Sequence, residues 1–101
     1  MAKPVRNHKY LGWIRTLPCS VSGCKVRRIE AHHTGPRGMS QRADDTTAIP
    51  LCWCHHEEFH RIGRRQFATN HQLNISAIVA QLNLDCPAYL LRRREPEEDV
   101  A

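Results

Sequence analysis

The sequence predicts a small α+β domain that depends on bound metal for part of its stability. The chain has 101 residues, of which 41% are hydrophobic and only 6% are aromatic. Such a composition gives a modest core, and small domains often compensate with metal ions or disulfides. Five of the seven histidines and four of the five cysteines fall in three short segments, residues 19–24, 30–33 and 51–60. This clustering of thiol and imidazole groups indicates metal binding.

Two short strands are predicted on either side of a long loop. Residues 25–32 alternate loosely between polar and apolar side chains, which is the pattern of a half-buried strand. Residues 46–50 form a second short strand, with a proline near its end where a ladder donor is not required. The intervening stretch, residues 34–45, contains glycine and proline among polar residues and predicts a loop.

Helices are predicted before the first strand and throughout the second half of the chain. A helix that starts near Cys52 should stop at Gly63, and Asn74 is a suitable cap for a later helix with one apolar stripe. The predicted helical segments are residues 10–17, 52–62, 64–71, 75–84 and, for a turn or two, 87–93.

The predicted domain organisation is simple. Residues 1–94 form a single domain whose first nine residues are expected to be loose, and residues 95–101 form an acidic tail that is expected to be disordered. No stretch resembles a signal peptide or a transmembrane span, which predicts a cytoplasmic protein. Thiols stay reduced in that compartment, so the clustered cysteines are expected to bind metal, with Cys86 apart as a buried or free thiol.

The charge of the chain favours a polyanionic partner. The formal net charge is +5, and residues 1–91 contain twelve lysines and arginines against six acidic residues. A basic rim around a metal cluster suits a nucleic acid, whereas the alternative is that these cations only keep the surface soluble. The cations that flank the clustered ligands in the sequence are Lys25, Arg27, Arg28, Arg37, Arg42, Arg61, Arg64 and Arg65.

His56 and His60 are the first candidate metal ligands. Positions i and i+4 of a helix share a face, so these two imidazoles could bind one ion. A His-x-x-x-His pair alone is better explained by solvated or capping histidines. Here the pair follows a cysteine-rich segment and a His32-His33 dipeptide lies upstream, which favours a metal site.

The cysteines predict a second, structural site. Cys19 and Cys24 would supply one half, and Cys52 with either His55 or Cys54 the other. The Cys-x-x-His spacing matches the usual bite of a zinc knuckle better than Cys-x-Cys does, which favours His55. Two alternatives stay open, namely that all these groups bind one metal or that Cys54 belongs to the core.

In combination, the motifs over residues 18–62 resemble those of the HNH, or ββα-metal, endonuclease family, and in particular its small phage-type members with a zinc knuckle. The resemblance implies a small ββα-metal fold with additional C-terminal helices. The matching residues are Cys19 and Cys24, the run Glu30-Ala31-His32-His33, the run Ile49-Pro50-Leu51-Cys52, and His56 and His60.

The resemblance also implies the role of each catalytic residue. His32 corresponds to the metal ligand on the strand, and His56 and His60 correspond to the two ligands on the helix. His33 corresponds to the general base that activates water. Glu30 corresponds to a carboxylate beside the metal that orients a ligand or an arginine.

Two positions depart from the family pattern. His55 stands where the second knuckle cysteine is usual, and Cys54 lies one place earlier, so the structural zinc site would be Cys₃His, Cys₄ or lost. Thr47 stands in place of the asparagine that names the family and that normally holds the loop of the base through backbone hydrogen bonds. Thr47 or Asp45 would have to replace it.

The expected function is that of a metal-dependent DNA endonuclease with little sequence preference, from a bacterial or phage source. The cofactors would be Mg²⁺, Mn²⁺ or Zn²⁺ at the catalytic site and a structural Zn²⁺. The partner would be duplex or branched DNA, and a homodimer is possible. The alternative is a non-catalytic zinc-knuckle module that binds nucleic acid, as an accessory to phage recombination or packaging. Residues expected to contact DNA are Arg37, Arg42, Arg61, Arg64 and Arg65.

Overall fold

The computed structural model describes residues 5–35, 43–87 and 90, and it has the predicted α+β composition. A two-stranded antiparallel sheet is surrounded by helices. In chain order the elements are α1 (His8–Ile14), β1 (Ile29–His33), a short 3₁₀ turn (Asp45–Thr47), β2 (Ala48–Cys52), α2 (Trp53–Ile62), α3 (Arg64–His71) and α4 (Ile75–Asp85).

Both strands begin later than the sequence predicts. The ladder runs from Ile29 opposite Cys52 to His33 opposite Ala48. Beyond Cys52 the chain turns into α2, so residues 25–28 have no strand opposite them within the described part of the chain. At the other end, Thr47 donates both its amide and its hydroxyl to the carbonyl of Asp44, which makes a 3₁₀ turn of residues predicted as strand.

Pro50 lies inside β2 rather than at its end. Its carbonyl accepts hydrogen bonds from the amide of Ser20 at 2.8 Å and from the Ser20 hydroxyl at 2.9 Å, on the edge of β2 away from β1. The nitrogen and carbonyl of one strand residue point to the same edge, so the missing N–H of Pro50 removes no bond from the ladder. The strand therefore continues to Cys52, which brings that thiol to the start of α2.

In the second half of the chain, α2, α3 and α4 begin and end within one residue of their predicted positions. Gly63 ends α2 with φ at 90°, a conformation that favours glycine, and α3 has the predicted bounds. Asn74 caps α4 by accepting the amide of Ala77 at 3.0 Å, and α4 ends one residue beyond its predicted end. The glycine and the capping asparagine act within a few residues of the chain, so the ends of these helices can be predicted from the sequence.

The N-terminal segment differs from the expectation. Asn7 caps α1, which begins at His8 and ends at Ile14 rather than spanning residues 10–17. The amide of Val5 donates to Asp44 at 2.7 Å, and the amide of Asn7 donates to Asp45 at 2.6 Å. The expectation of a loose start is therefore wrong for residues 5–9, because Asp44 and Asp45 hold residues 5 and 7 at the 3₁₀ turn and residues 8 and 9 belong to α1.

The core consists of two adjoining groups of apolar side chains. One group packs β2 against α2, α3 and α4. The other packs α1 against the segment that follows α4. Cys86 is buried in the second group, as predicted for a thiol apart from the metal cluster. The first group is built around Ile49, Leu51, Phe59, Phe67 and Ile75, and the second around Tyr10, Ile14, Cys86 and Leu90.

Two sequence predictions fall outside what the structure describes. The acidic tail, residues 95–101, lies outside the described residues, as does most of the helical turn predicted over 87–93. Among the described residues, no helix is both long enough and apolar enough to cross a membrane.

Candidate metal and catalytic site

The structure brings together one histidine and three cysteines from separate parts of the chain. Cys19 follows α1, Cys24 follows the turn at Gly23, Cys52 ends β2, and His55 lies in the first turn of α2. Their candidate ligand atoms all lie within 4.8 Å of one another. Cys54 is exposed and is not part of this group, so the geometry favours His55 over Cys54 as the fourth member.

The distances in this cluster fit a tetrahedral zinc ion. Zn–S bonds of about 2.3 Å and Zn–N bonds of about 2.0 Å place two sulfurs about 3.8 Å apart and a sulfur and a nitrogen about 3.5 Å apart. Sγ of Cys24 and Sγ of Cys52 are 3.8 Å apart. Nδ1 of His55 lies 3.5 Å from Sγ of Cys19 and 3.2 Å from Sγ of Cys52. The four side chains could therefore hold a metal such as zinc.

The thiols of this cluster differ in acidity. Burial raises the pKa of the Cys19 thiol to about 11, although hydrogen bonds from the amides of Cys52 and Val21 act in the opposite direction. The hydrogen bond from the backbone of Val26 is the main cause that lowers the pKa of Cys24. At neutral pH the Cys19 thiol therefore keeps its proton until a metal displaces it.

The second ligand group consists of the three predicted histidines. His32 comes from β1, and His56 and His60 lie one turn apart on α2. The Nε2 atoms of His56 and His60 are 3.2 Å apart, close to the roughly 3.3 Å between two nitrogens on one tetrahedral zinc. The ring of His32 is 4.6 Å from that of His56 and 4.9 Å from that of His60, between centroids. Only 4% of His32 is exposed, and its ring packs on Phe59.

Glu30 orients one of these three histidines. Its carboxylate accepts a hydrogen bond from Nδ1 of His56 at 2.7 Å. With its proton on Nδ1, His56 presents a lone pair on Nε2, the atom that faces His60. Arg28 lies 3.9 Å from the same carboxylate. Glu30 thus lies beside a candidate metal ligand and an arginine.

His33 is held by a buried carboxylate. Its Nε2 lies 2.8 Å from Oδ1 of Asp45, whose other oxygen accepts the amide of Asn7 at 2.6 Å. Asp45 is 1% exposed, and Arg6 lies 3.5 Å away. Burial acts to raise the pKa of Asp45, but the hydrogen bonds from His33 and Asn7 and the charges of His33 and Arg6 outweigh it and leave that pKa lowered. The carboxylate is therefore charged and accepts the Nε2 proton of His33.

His33 and the three-histidine group share one recess of the surface. Two adjoining clefts of about 250 and 260 Å³ are both lined by His32, His33 and His60. His32 and His33 are the last two residues of β1, and both side chains border this recess. A phosphate in this recess would meet both groups.

Thr47 secures the segment that follows His33. Its backbone carbonyl accepts hydrogen bonds from the amide of Thr34 at 3.1 Å and from the Thr34 hydroxyl at 2.8 Å. A Cβ atom added to Gly35 would lie 2.6 Å from Cγ2 of Thr47, so this close approach requires glycine. Thr47 therefore fixes the backbone after His33, while Asp45 fixes its ring.

Two features of this site were not predicted from the sequence, the contact of Asp45 with the His33 ring and the position of Arg15. Asp45 was considered only as a backbone anchor, and Arg15, on the turn after α1, borders the cleft beside His33 and His56. The buried contact of Asp45 arises from the fold of the N-terminal segment onto the 3₁₀ turn. Nothing in the local sequence of Arg15 indicated its position, because that depends on how α1 packs.

The predicted DNA-contacting arginines divide into three groups. Arg37 and Arg42 lie outside the described residues. Arg64 borders the second cleft, where it donates to the carbonyl of Thr34 at 2.5 Å and to the hydroxyl of Ser76 at 3.3 Å. Arg61 and Arg65 are exposed on α2 and α3 and line neither of the two clefts described above.

Comparison with known proteins places the chain in a family. A family model described as "Protein of unknown function (DUF968)" matches residues 1–87. The chain belongs to this DUF968 family. It is also similar to a protein of Escherichia coli (strain K12) described as "Uncharacterized protein YdfU", with 38% identity over 55 residues that cover 52% of this chain. The matched segment covers only 15% of that relative's length. No solved structure matches the chain.

Proposed function

We propose that this DUF968 chain is a metal-dependent endonuclease of the HNH type that hydrolyses phosphodiester bonds in DNA with little sequence preference. The observation that carries the proposal is the pairing of a three-histidine group at metal-binding distances with a fourth histidine held by a buried aspartate on the same recess. Phosphodiester hydrolysis needs both elements, positive charge at the phosphate and a base for the attacking water.

His32, His56 and His60 would hold the catalytic ion, which is Mg²⁺, Mn²⁺ or Zn²⁺. Three protein ligands leave a coordination position open, which is the arrangement of catalytic rather than structural sites. When bound, the ion would supply positive charge to the phosphate and to the departing 3′ oxygen. Glu30 fixes the tautomer of His56 through the 2.7 Å hydrogen bond and so keeps one ligand ready for binding.

His33 would act as the general base. Asp45 accepts the proton on Nε2, so the lone pair of the neutral imidazole is on Nδ1. That atom would take a proton from water as the water oxygen forms its bond to phosphorus and the bond from phosphorus to the 3′ oxygen breaks. The 3′ oxygen takes a proton from solvent. His33 then returns its proton to solvent, and the aspartate restores the same tautomer for the next cycle.

The Cys₃His cluster would hold a structural zinc in this scheme. It joins the loop after α1 to the first turn of α2, and His56 follows His55 directly. A closed site with four protein ligands suits a structural role. Zinc there would fix the start of the helix that carries two of the three catalytic ligands.

Arginines at the borders of the recess would bind the flanking phosphates. Arg15 borders the first cleft, on the side of α1, and Arg64 borders the second cleft, on the side of α3. The chain carries a net charge of +5, which favours association with DNA. Contacts to phosphate carry no sequence information, which supports the expectation of little sequence preference.

A plasmid assay tests the proposal. Purified protein should nick supercoiled DNA with at least one of Mg²⁺, Mn²⁺ or Zn²⁺, and a chelator should stop the reaction. His60→Ala should lose both catalytic metal and cleavage, because it removes one of three ligands. His8→Ala, which changes an exposed histidine on α1, is the matched control and should behave as the wild type. Absence of cleavage with every metal on duplex, branched and single-stranded DNA would refute the proposal.

One observation favours a second candidate function, a non-catalytic module that binds nucleic acid. Thr47 stands in place of the family's asparagine, and its hydroxyl is occupied by the carbonyl of Asp44 at 2.7 Å. A chain that had lost catalysis could keep both metal groups as a scaffold. Salt-dependent DNA binding without cleavage in the same assay would identify this function.

A further inference from the structure

A third group of potential ligands lies beside the Cys₃His cluster, between α2 and α3. It contains His55 and Glu58, one turn apart on α2, and His71, the last residue of α3. The candidate ligand atoms of the three residues lie within 4.8 Å of one another. The rings of His55 and His71 meet edge to face with their centroids 5.1 Å apart.

The distances in this group indicate hydrogen bonding rather than a third metal site. Nε2 of His71 and Oε1 of Glu58 are 2.9 Å apart, the length of a charge-assisted hydrogen bond. A tetrahedral zinc would hold a nitrogen and an oxygen about 3.3 Å apart. The other two groups show metal-type spacings of 3.2 to 3.8 Å. Glu58 and His71 are therefore a bonded pair, with only 24% and 20% of their side chains exposed.

His55 has a second ring nitrogen that needs an acceptor. Its Nδ1 faces the sulfurs of Cys19 and Cys52, so a zinc ion held by the cluster would leave the proton of His55 on Nε2. Histidines that bind metal usually donate this second N–H to a carboxylate, a carbonyl or water, which fixes the ring and raises its basicity. Glu58 is the carboxylate of this group.

We propose that Glu58 accepts the Nε2–H of His55 when zinc is bound, and that His71 holds Glu58 in position for this role. The carboxylate has three rotatable bonds and starts within 4.8 Å of a ring nitrogen of His55, so a rotamer adjustment closes the contact. His71 adds its own hydrogen bond from α3. The result is a chain of contacts from the zinc through α2 to the end of α3. The inference rests on zinc binding by the Cys₃His cluster and not on DNA cleavage.

The test is the metal affinity of the full chain with Glu58→Gln, compared with Glu57→Gln, its exposed neighbour on α2. Co²⁺ serves as the probe, because the thiolate–cobalt absorption reports the cysteine cluster alone, and Zn²⁺ is then measured by displacement. Glu58→Gln should weaken binding about 10- to 100-fold, and Glu57→Gln should leave it unchanged. Equal affinities of the two variants would overturn the proposal, as would a wild type that binds no metal at its cysteines.

Two further readouts separate this role from a general effect on folding. In the zinc-loaded wild type, NMR of labelled histidine should show a slowly exchanging Nε2–H on His55 that is lost or shifted in Glu58→Gln. His71→Gln keeps a donor for Glu58 and should retain more affinity than His71→Ala. If the wild type binds one more zinc ion than Glu58→Gln at saturation, Glu58 is itself a ligand and the proposal is wrong. A protein that passes these tests and cleaves no DNA would refute only the endonuclease function.

Discussion

Asp45→Asn is the most informative single substitution for the proposed reaction. The wild-type carboxylate is 1% exposed and accepts hydrogen bonds from His33 at 2.8 Å and from the amide of Asn7 at 2.6 Å. Asparagine has almost the same size and shape. Its oxygen can still accept the amide of Asn7, but its nitrogen then faces His33 as a donor.

The substitution should therefore reverse the tautomer of His33. A donor opposite Nε2 stabilises the form with its proton on Nδ1, which removes the lone pair that would take a proton from water. A positioned general base contributes roughly 10²- to 10⁴-fold to a rate, so single-turnover cleavage should fall by a factor in that range. Metal content and DNA affinity should change little, because Asp45 is not part of the three-histidine group.

Asp44→Asn is the matched control for this experiment. Asp44 is the neighbouring carboxylate, and its side chain accepts the amide of Val5, whereas the carboxylate beside His33 is that of Asp45. The control should cleave at close to the wild-type rate. Cleavage by Asp45→Asn within a few fold of the control, with the His33 tautomer unchanged by NMR, would refute the reasoning.

Three further predictions concern the zinc cluster, the arginines and acid stability. Cys19→Ser and His55→Ala should each lower the melting temperature and the zinc content sharply, since zinc binding is coupled to folding. Cys54→Ser should have only a mild effect on both. A severe effect of Cys54→Ser with a mild effect of His55→Ala would favour a Cys₄ site. Arg15→Ala should reduce the log–log salt slope of DNA binding by about one unit, with Arg65→Ala as a control of smaller effect. Because the pKa of Asp45 is lowered in the folded protein, the charged carboxylate stabilises the fold at pH values above its unfolded pKa of about 3.9. This stabilisation is lost as the pH falls through the pKa of the folded state. Asp45→Asn should thus flatten the acid side of the stability profile measured by denaturant unfolding.

Local signals in the sequence account for the parts of the fold that were predicted closely. Gly63 and Asn74 mark the end of α2 and the start of α4 through backbone and capping preferences that act within a few residues. The strand ends were less accurate, because pairing depends on a partner distant in the chain. Residues 25–28 have the alternating sequence pattern of a strand, but the residues that would pair with them belong to helix α2.

The candidate site was predictable in its ligands and not in its supporting contacts. The spacing of His56 and His60 on a helix is a local property, so their meeting at 3.2 Å follows from the sequence. The pairing of Asp45 with His33 depends on how the loop closes and on the amide of Asn7, more than thirty residues away in the chain. The position of Arg15 depends in the same way on how α1 packs.

Substitution of His33 by alanine tests most directly the central claim, that His33 is the general base of a metal-dependent cleavage. Wild type and His33→Ala would be compared in single-turnover cleavage of plasmid DNA, with the metal content of both proteins measured on the same samples. We expect His33→Ala to bind metal and DNA as the wild type does and its cleavage to fall by roughly 10²-fold or more. Cleavage by His33→Ala at the wild-type rate, or loss of its catalytic metal, would contradict the assignment of His33 as the base.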